Sequence, residues 1–307
     1  MSATFNEVTG AWLERKRMLV KPSTFNAYQL IVVKHLLPLY GELEAISEEM
    51  AQRMVFDKLG SGLSRKSVRD IVAVLKDICK YGRTYMGFDA GKWEISFPRE
   101  MQARRLPVMN IKDQRKLAAH ILAAPDARNI GVLISLCTGM RIGEVCGLQW
   151  ADVSLSERQL TVARTAGRSY DIKARKTVRL LTSPKTRSSC RVVPLSRELA
   201  GAMRTVRKQC PGAVYVVGGG EYPAEPRSYR DSFARLLRRL GIPAIVYHGL
   251  RHTFATRCVE SGCDIKVVSA ILGHSNVATT LNLYVHPDEA HKRSVVERLS
   301  KILKIDS

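Results

Sequence analysis

Apolar side chains recur every three to four positions through much of the first hundred residues, which is the spacing of a helix face. One such helix opens at Pro22-Ser23-Thr24, and we expect it to end near Pro38. Its apolar positions are Phe25, Tyr28, Ile31, Val32, Leu36 and Leu37. A second helix follows Ser64, with an apolar stripe of Val68, Ile71, Val72, Leu75, Ile78 and Cys79. The pattern therefore predicts a helical domain over residues 1–98.

A polar, basic stretch between Pro98 and Pro107 has little periodicity, and we predict a linker at residues 99–108. The second domain, residues 109–307, alternates more. Helical spacing covers residues 112–123, 126–138, 141–148, 196–209 and 226–240, and it returns from His248 onward. Short runs typical of strands lie at 160–163, 177–181, 190–194 and 214–217, and the polar segment 183–188 is expected to be the turn of a hairpin. The predicted fold class is mainly α with a small antiparallel β-sheet (α+β).

The net charge of the chain limits the classes of molecule that it is expected to bind. The 307 residues include 49 Lys and Arg against 28 Asp and Glu, a net charge of +21. Residues 1–100 carry a net charge of +3 and residues 101–307 a net charge of +18. Such a field favours a polyanion, although a merely basic soluble protein would show the same excess. An anionic membrane fits less well, because the basic residues are dispersed rather than gathered on one amphipathic helix.

Sorting signals and cysteines point to the same compartment. No run of about 18 apolar residues exists, and the N-terminus shows no secretory signal. Seven cysteines form no CxxC pair, which is typical of free thiols in a reducing cytoplasm and does not favour zinc. We therefore expect a cytoplasmic protein with no membrane partner.

Five short segments carry candidate chemistry: TGMRIGE at 138–144, SPKT at 183–186, HGLRH at 248–252, LGHSN at 272–276 and LNLY at 281–284. Arg141 follows Gly139, a helix break, so its guanidinium can begin a new helix beside a bound anion. Arg251 lies one helical turn after His248, so both can face one ligand. Two guanidinium forks can grip the non-bridging oxygens of a phosphodiester, where charge grows in the transition state. In isolation, either arginine fits a structural ion pair equally well.

Two other groups have alternative interpretations. Glu144 can orient a group of the active site, or it can simply pair with Arg141 on a helix surface, and both interpretations stay open. His248 and His252 have the spacing of a zinc-binding helix. However, Gly249 stands where HExxH has its glutamate, and Arg251 would repel a cation. No metal site is predicted, and His252 is expected to be structural.

In this order and spacing, the five segments resemble the tyrosine recombinase (phage integrase) family over residues 109–307, and the N-terminal helices resemble its core-binding domain. The resemblance implies a catalytic set of Arg141, Lys185, His248, Arg251, His274 and Tyr284. Tyr284 would attack the DNA phosphate to form a 3′-phosphotyrosyl bond. Lys185 would protonate the leaving 5′ oxygen, His248 would assist proton transfer at the nucleophile, and His274 would hydrogen-bond the scissile phosphate.

The chemistry of a phenol supports this set. With a pKa of about 10, a tyrosine attacks at neutral pH only if its proton is taken and its target is polarised. The cations and His248 supply both, so no cofactor or metal is required. Tyr229 and Tyr247 lack this context. Single residues keep simpler alternatives: a solvated turn lysine for Lys185, a helix-terminal histidine for His274 and a core tyrosine for Tyr284.

The resemblance also implies partners. The substrate would be double-stranded DNA with core recombination sites, bound by a homotetramer in the prokaryotic nucleoid. Lys66, Arg179, Arg187 and Arg191 are candidate DNA contacts, although a solvated helix face also explains Lys66. A terminal apolar stripe, residues 295–303, would dock on a neighbouring protomer or pack on its own domain. The core-binding helices begin near Met1, so we expect a compact form without an arm-binding domain.

The expected function is site-specific recombination through a Holliday junction, serving integration, excision or inversion of a mobile element. Three rival classes share some of these features: a monomeric type IB topoisomerase, a non-enzymatic DNA-binding protein and a metal-dependent nuclease. The nuclease is the weakest, because the sequence has no evident cluster of carboxylates.

Overall fold

A computed structural model describes residues 3–99, 107–171, 176–183, 190–274 and 276–278, together with residues 293, 296, 297 and 300. The chain divides into two compact units. One holds Met1–Ala103 and Arg168–Val178, and the other holds Arg104–Gly167 and Arg179–Ser307. Residues 100–106, most of the predicted linker, lie outside the described residues, so the proposed boundaries at 98 and 109 stay a prediction.

The first unit is helical, as the apolar periodicity predicts. Its helices are α1 (Phe5–Leu19), α2 (Pro22–Ile31), α3 (Leu37–Tyr40), α4 (Glu48–Gly60) and α5 (Arg65–Tyr85). A two-residue parallel pair joins β1 (Ala45–Ile46) to β2 (Asp89–Ala90). The predicted start of α5 is confirmed, because the Ser64 hydroxyl accepts the backbone N–H of Ser67 at 3.1 Å and caps the helix. The expected stripe on α5 is buried.

The expected stop near Pro38 is confirmed to within two residues, although Pro38 itself does not end the helix. A π-helical turn at Val32–Leu36 follows α2, in which the N–H of Leu37 bonds to the carbonyl of Val32, five residues earlier. Pro38 then lies in the first turn of α3, where a missing N–H costs no helical hydrogen bond. Helical structure therefore continues to Tyr40.

The second unit contains helices α6 to α12 and strands β3, β4 and β7, and strands β5 and β6 are divided between the two units. The helices are α6 (Ile111–Ala123), α7 (Ile130–Thr138), α8 (Ile142–Cys146), α9 (Arg197–Gln209), α10 (Pro226–Arg239), α11 (His248–Glu260) and α12 (Ile265–Leu272). The strands are β3 (Val153–Ser154), β4 (Gln159–Val162), β5 (Thr165–Asp171), β6 (Lys176–Thr182) and β7 (Arg191–Pro194). The α+β class with a small antiparallel sheet is confirmed.

Helix α7 forms the centre of this unit, since nearly every residue from Ile130 to Thr138 is buried. It packs against α9 and α11. Gly131 also allows close packing on α8 and α10: an added Cβ would lie 2.6 Å from the Tyr229 hydroxyl and 2.7 Å from a methyl group of Val145. The helix before the first candidate arginine is therefore packed along most of its surface, with Cys137 exposed.

The strand pairing differs from the predicted hairpin. β7 pairs with β4 in a three-stranded antiparallel sheet, whereas β6 pairs with β5 in a separate two-stranded sheet. β6 and β7 therefore belong to separate sheets, and residues 184–189, which include most of the predicted turn, lie outside the described residues. The expected strand at 214–217 is also wrong: among the described residues, this segment forms only an isolated bridge from Tyr215 to Gln149.

Most of the predicted C-terminal stripe lies outside the described residues, since of residues 295–303 only Val296, Glu297 and Ser300 are described. In the described parts of the chain, no helix has both the length and the apolar character that a bilayer crossing requires.

Candidate active site

Arg141 lies at a sharp break between α7 and α8. Gly139 ends α7 with a left-handed backbone (φ 67°), where an added Cβ would lie 2.5 Å from a methyl carbon of Leu272. Two residues later, the backbone N–H of Arg141 donates to Glu144 Oε2 at 2.9 Å, which satisfies the start of α8. The Arg141 side chain remains 37% exposed. The predicted helix break is thus confirmed, and it leaves a guanidinium beside open space.

Glu144 is buried among arginines. Its Oε1 accepts from Arg141 Nη1 at 2.8 Å and from Arg191 Nη1 at 3.1 Å, and its Oε2 accepts from Arg191 Nη2 at 3.0 Å. Burial alone would raise the pKa of Glu144. The hydrogen bonds and charge of Arg191, followed by those of Arg141, outweigh burial and hold this pKa below its usual value. The ion pair with Arg141 is therefore real, and Arg191 is a second partner.

Arg251 is the most deeply buried arginine of the predicted set, at 4% exposure on α11. Its Nη1 donates to the carbonyl of Gly139 at 2.9 Å. Its Nη2 is buried and has no hydrogen-bond partner in the part of the chain that the structure describes. Burial, and then the positive charge of Arg141, lower the pKa of Arg251 to about 9, so the side chain stays cationic at neutral pH.

Two histidines on α11 lie beside this arginine. His248 opens the helix, and its ring centroid is 6.3 Å from that of His252. Burial, and then the charge of Arg251, lower the pKa of each histidine. Both rings are therefore neutral at pH 7 and able to accept a proton. Among the described residues, no group of three or more His, Cys, Asp or Glu side chains is placed to hold a metal ion.

His274 follows the left-handed Gly273 (φ 66°) that ends α12, and its backbone N–H donates to the carbonyl of Ser269 at 3.1 Å. Burial, and then the charges of Arg251, Arg141 and Arg191, lower the pKa of His274 to about 4. Electrostatic contributions of this kind require proximity. The structure therefore brings together the loop after α7, the start of α11 and the end of α12, as the order of the motifs predicts.

The remaining predicted residues divide into two groups. Lys185, Arg187 and Tyr284 lie outside the described residues. Lys66 is exposed in the first turn of α5 and pairs with Asp70 at 3.1 Å, and Arg179 is exposed on β6. Neither position tests a contact with DNA.

Arg191 is placed differently from what a DNA contact on an open strand requires. Its side chain is only 6% exposed and bonds to Glu144. The sequence contains a pattern that predicts the burial of Arg191. In β7, Arg191 lies two residues before the buried Val193, on the same face of an alternating strand.

The two other tyrosines considered as nucleophiles are buried and hydrogen-bonded. The Tyr229 hydroxyl donates to the carbonyl of Arg128 at 2.7 Å. The Tyr247 hydroxyl donates to the carbonyl of Gly131 at 3.0 Å and shares a hydrogen bond with Ser135 at 2.8 Å. Burial raises the pKa of both phenols above the usual value. Neither is suited to attack.

The arrangement favours an anionic ligand. Within the described residues, three guanidiniums surround one buried carboxylate, so the cluster keeps an excess of positive charge. The neutral histidines at its edge can accept or share protons. Fixed cations with a neutral base are what stabilises charge growing on a phosphodiester.

Comparison with known proteins identifies the family. The model of the phage integrase family matches residues 108–291. A XerC-like tyrosine recombinase of Caldanaerobacter subterraneus subsp. tengcongensis is 28% identical, covering 97% of this chain and 83% of its own length. The transposase of transposon Tn916 from Enterococcus faecalis is 29% identical over 55% of this chain and 45% of its own. The structure of an integrase of transposon Tn1549, in complex with transposon right end DNA, superposes with a TM-score of 0.73 at 23% identity, over 97% of this chain and all of that one.

Because the family model spans more than half of its residues, the chain belongs to the phage integrase family. It is a tyrosine-type site-specific recombinase, which confirms the class of enzyme expected from the five motifs.

Proposed function

We propose that this recombinase cuts and rejoins double-stranded DNA through a transient 3′-phosphotyrosyl bond to Tyr284. The observation that carries the proposal is Arg251, whose buried Nη2 has no acceptor among the described residues. A buried donor without a partner costs about 1–3 kcal/mol, so this position suits a ligand that brings an acceptor and negative charge. A DNA phosphate brings both.

Each described residue of the site has a role in this proposal. Arg141 and Arg251 bind the two non-bridging oxygens, and His274 adds a hydrogen bond to the same phosphate. His248, neutral because its pKa is lowered, accepts the proton of the attacking phenol. Glu144 holds the guanidinium of Arg141 through the 2.8 Å bond.

Two further roles rest on the sequence motifs alone. Tyr284 attacks the phosphorus, and the bond to the 5′ oxygen breaks as Lys185 gives that oxygen a proton. The phosphodiester is exchanged for a phosphotyrosyl ester, so an incoming 5′ hydroxyl can reverse the step without ATP. Two such exchanges on paired sites produce and then resolve a Holliday junction.

We also propose the wider setting. The substrate is duplex DNA with core sites at the ends of a mobile element, in the cytoplasm of a prokaryotic cell, and the active assembly is a homotetramer. Deleting the residues after 287 should impair assembly on DNA more than binding to a single core site, as gel filtration of the protein–DNA complex would show. Unchanged assembly would contradict docking by the C-terminal segment.

The catalytic proposal is tested by covalent trapping. DNA fragments captured on the wild-type protein are sequenced to find the cleaved site, and a nicked duplex carrying that site then serves as a suicide substrate. The wild-type protein should form an adduct that survives denaturing electrophoresis and contains phosphotyrosine. Tyr284→Phe should bind the duplex with similar affinity and form no adduct.

Three outcomes would contradict the proposal in different ways. Tight binding without any wild-type adduct would indicate a DNA-binding protein that lacks the enzyme activity. An adduct that persists in Tyr284→Phe would place the nucleophile elsewhere. Cleavage that is lost in EDTA would point to a metal-dependent nuclease.

A further inference from the structure

Arg191 contacts two separate parts of the site. It opens β7, and its side chain is 6% exposed, less than that of any other arginine in a described ion pair. Its two terminal nitrogens donate to both oxygens of Glu144, at 3.1 and 3.0 Å, in the side-by-side geometry that a guanidinium forms with a carboxylate. Its Nε donates to the carbonyl of Ile271 in the last turn of α12.

The first contact acts on Arg141. A carboxylate as buried as Glu144 would tend to take up a proton, and Arg191 is the strongest influence that opposes this. The ionised carboxylate accepts the backbone N–H and the guanidinium of Arg141 together, at 2.9 and 2.8 Å, and protonation would remove the charge that strengthens both hydrogen bonds. Arg191 therefore keeps Glu144 in the form that holds Arg141 in place.

The second contact acts on the end of α12. The last carbonyls of a helix have no partner within the helix, and a cation there is favourable. The N–H groups of Gly273 and His274 bond to the carbonyls of Ala270 and Ser269, at 3.0 and 3.1 Å. The next carbonyl along the helix, that of Ile271, is bound by Arg191. The turn that presents His274 is thus fixed from both sides.

We propose that Arg191 is a positioning residue for strand cleavage. It joins α8 to α12 and sets the geometry of Arg141 and His274 without touching DNA. This inference rests on the proposed strand-transfer function. It replaces the interpretation of Arg191 as a phosphate contact, which the sequence favoured because this basic residue stands on a strand beside a basic turn.

Arg191→Met and Arg179→Met are the matched pair that separates the two roles. Arg179 is an exposed arginine on β6, so it can contact a phosphate without supporting the site. Adduct formation is measured at saturating nicked duplex between pH 5 and 9, together with DNA affinity across a range of salt concentrations. A lost phosphate contact lowers the slope of log affinity against log salt by about 0.9.

Arg191→Met should leave the salt slope unchanged and slow adduct formation at saturating DNA at least tenfold. It should also move the acid limb of the rate, which protonation of His248 already gives the wild-type protein, to higher pH. Without Arg191 the pKa of Glu144 rises, so the carboxylate takes up a proton as the pH falls, and Arg141 is released. Arg191→Lys keeps the charge and should return the acid limb to its wild-type position, although not restore the full rate.

A double variant tests whether the effect passes through Glu144. In Glu144→Gln/Arg191→Met, no carboxylate remains to titrate, so the acid limb should return to its wild-type position, and Arg191→Met should add little to the rate lost in Glu144→Gln alone. This variant buries no unpaired charge, so together with Arg191→Lys it supplies the comparison if Arg191→Met does not fold.

The competing outcome is equally clear. If Arg191→Met lowers the salt slope as Arg179→Met does, while the rate at saturating DNA and its pH profile match wild type, Arg191 is a phosphate contact and the inference is wrong. Because each rate is compared with that of the wild-type adduct, absence of any wild-type adduct would instead remove the proposed function.

Discussion

The two buried arginines of the cluster, Arg191 and Arg251, differ in what surrounds them. Both side chains are almost inaccessible. Arg191 donates to both oxygens of a carboxylate and to a helix carbonyl, whereas Arg251 donates to one backbone carbonyl and has an Nη2 without a partner among the described residues. Burial alone therefore does not define the role of an arginine. The role depends on which hydrogen-bond partners its guanidinium has.

This difference divides the cluster into two parts. The Glu144 part has matched charges and donors, as expected for groups that hold the fold in one geometry. In the part around Arg251, the pKa values of the histidines are lowered, and the Nη2 group of Arg251 has no partner among the described residues. Both are features of a site that binds an anion. The following predictions test this division, from the largest expected effect to the smallest.

The largest effect should come from Arg251→Met. Loss of a fixed donor to the transition state typically costs about 10²–10³ in rate, so adduct formation should fall by that factor at saturating DNA. The melting temperature of the DNA-free protein should stay the same or rise, because a desolvated cation is removed with no carboxylate bonded to it. Denaturing electrophoresis and calorimetry give the two measurements. A large loss of stability would show that Arg251 is structural, like Arg191.

A small anion should distinguish the two parts without DNA. Inorganic phosphate that binds at Arg251 and Arg141 would stabilise the folded protein by about 2.7 kcal/mol at 100 times its Kd. Thermal unfolding in sodium phosphate, compared with sodium chloride at equal ionic strength, should show a shift in wild type and in Arg179→Met. Arg251→Met should lose most of the shift. An equal shift in all three proteins would mean that phosphate acts on the general surface.

The two parts should change the free energy of unfolding in different pH ranges. The pKa of His274 is about 4 when folded and near 6.5 when unfolded, so the unfolded chain binds more protons between these values. Stability should therefore fall as the pH decreases from about 6.5 towards about 4. His274→Gln should reduce this slope without abolishing it, because the pKa values of His248 and His252 are lowered too.

Glu144 should act at lower pH. Its pKa is lowered on folding, so its contribution is present above the unfolded value of 4.5 and is lost as the pH falls through the folded value. Glu144→Gln should therefore change the curve below pH 4.5 and leave the slope between 5 and 6.5. Urea unfolding at a series of pH values measures both variants. Identical slopes in wild type and His274→Gln above pH 5 would contradict the assignment of the upper window.

Sequence predicted the elements better than the contacts between them. The apolar stripe of α5 and the break at Gly139 depend on residues close together in the chain, so the sequence pattern predicts them. The pairing of β7 with β4 depends on residues 29 to 35 positions apart, and a basic turn at 183–188 suggested a local hairpin instead.

The site shows the same limit. Arg141, His248, Arg251 and His274 were predicted from motifs, and the structure places them together. The hydrogen bond from Arg191 to Ile271 joins residues 80 positions apart, and no pattern in either segment predicts it. The unused donor of Arg251 is likewise a property of three-dimensional packing. Sequence patterns could therefore predict which groups carry charge, but not which charges are already matched.

The smallest effect concerns tyrosines whose hydroxyls are fully engaged. Tyr247→Phe removes a hydroxyl bonded to Gly131 and Ser135, and Tyr229→Phe removes one bonded to Arg128. Each loss should lower the free energy of unfolding by about 1 kcal/mol, with adduct formation unchanged, because a buried, bonded phenol serves packing. Tyr284→Phe should show the reverse: unchanged stability and no adduct. If Tyr247→Phe folds normally but forms no adduct, the Tyr247 hydroxyl takes part in the chemistry although it is hydrogen-bonded within the protein. Hydrogen bonding within the protein would then no longer distinguish structural groups from reactive ones in this site.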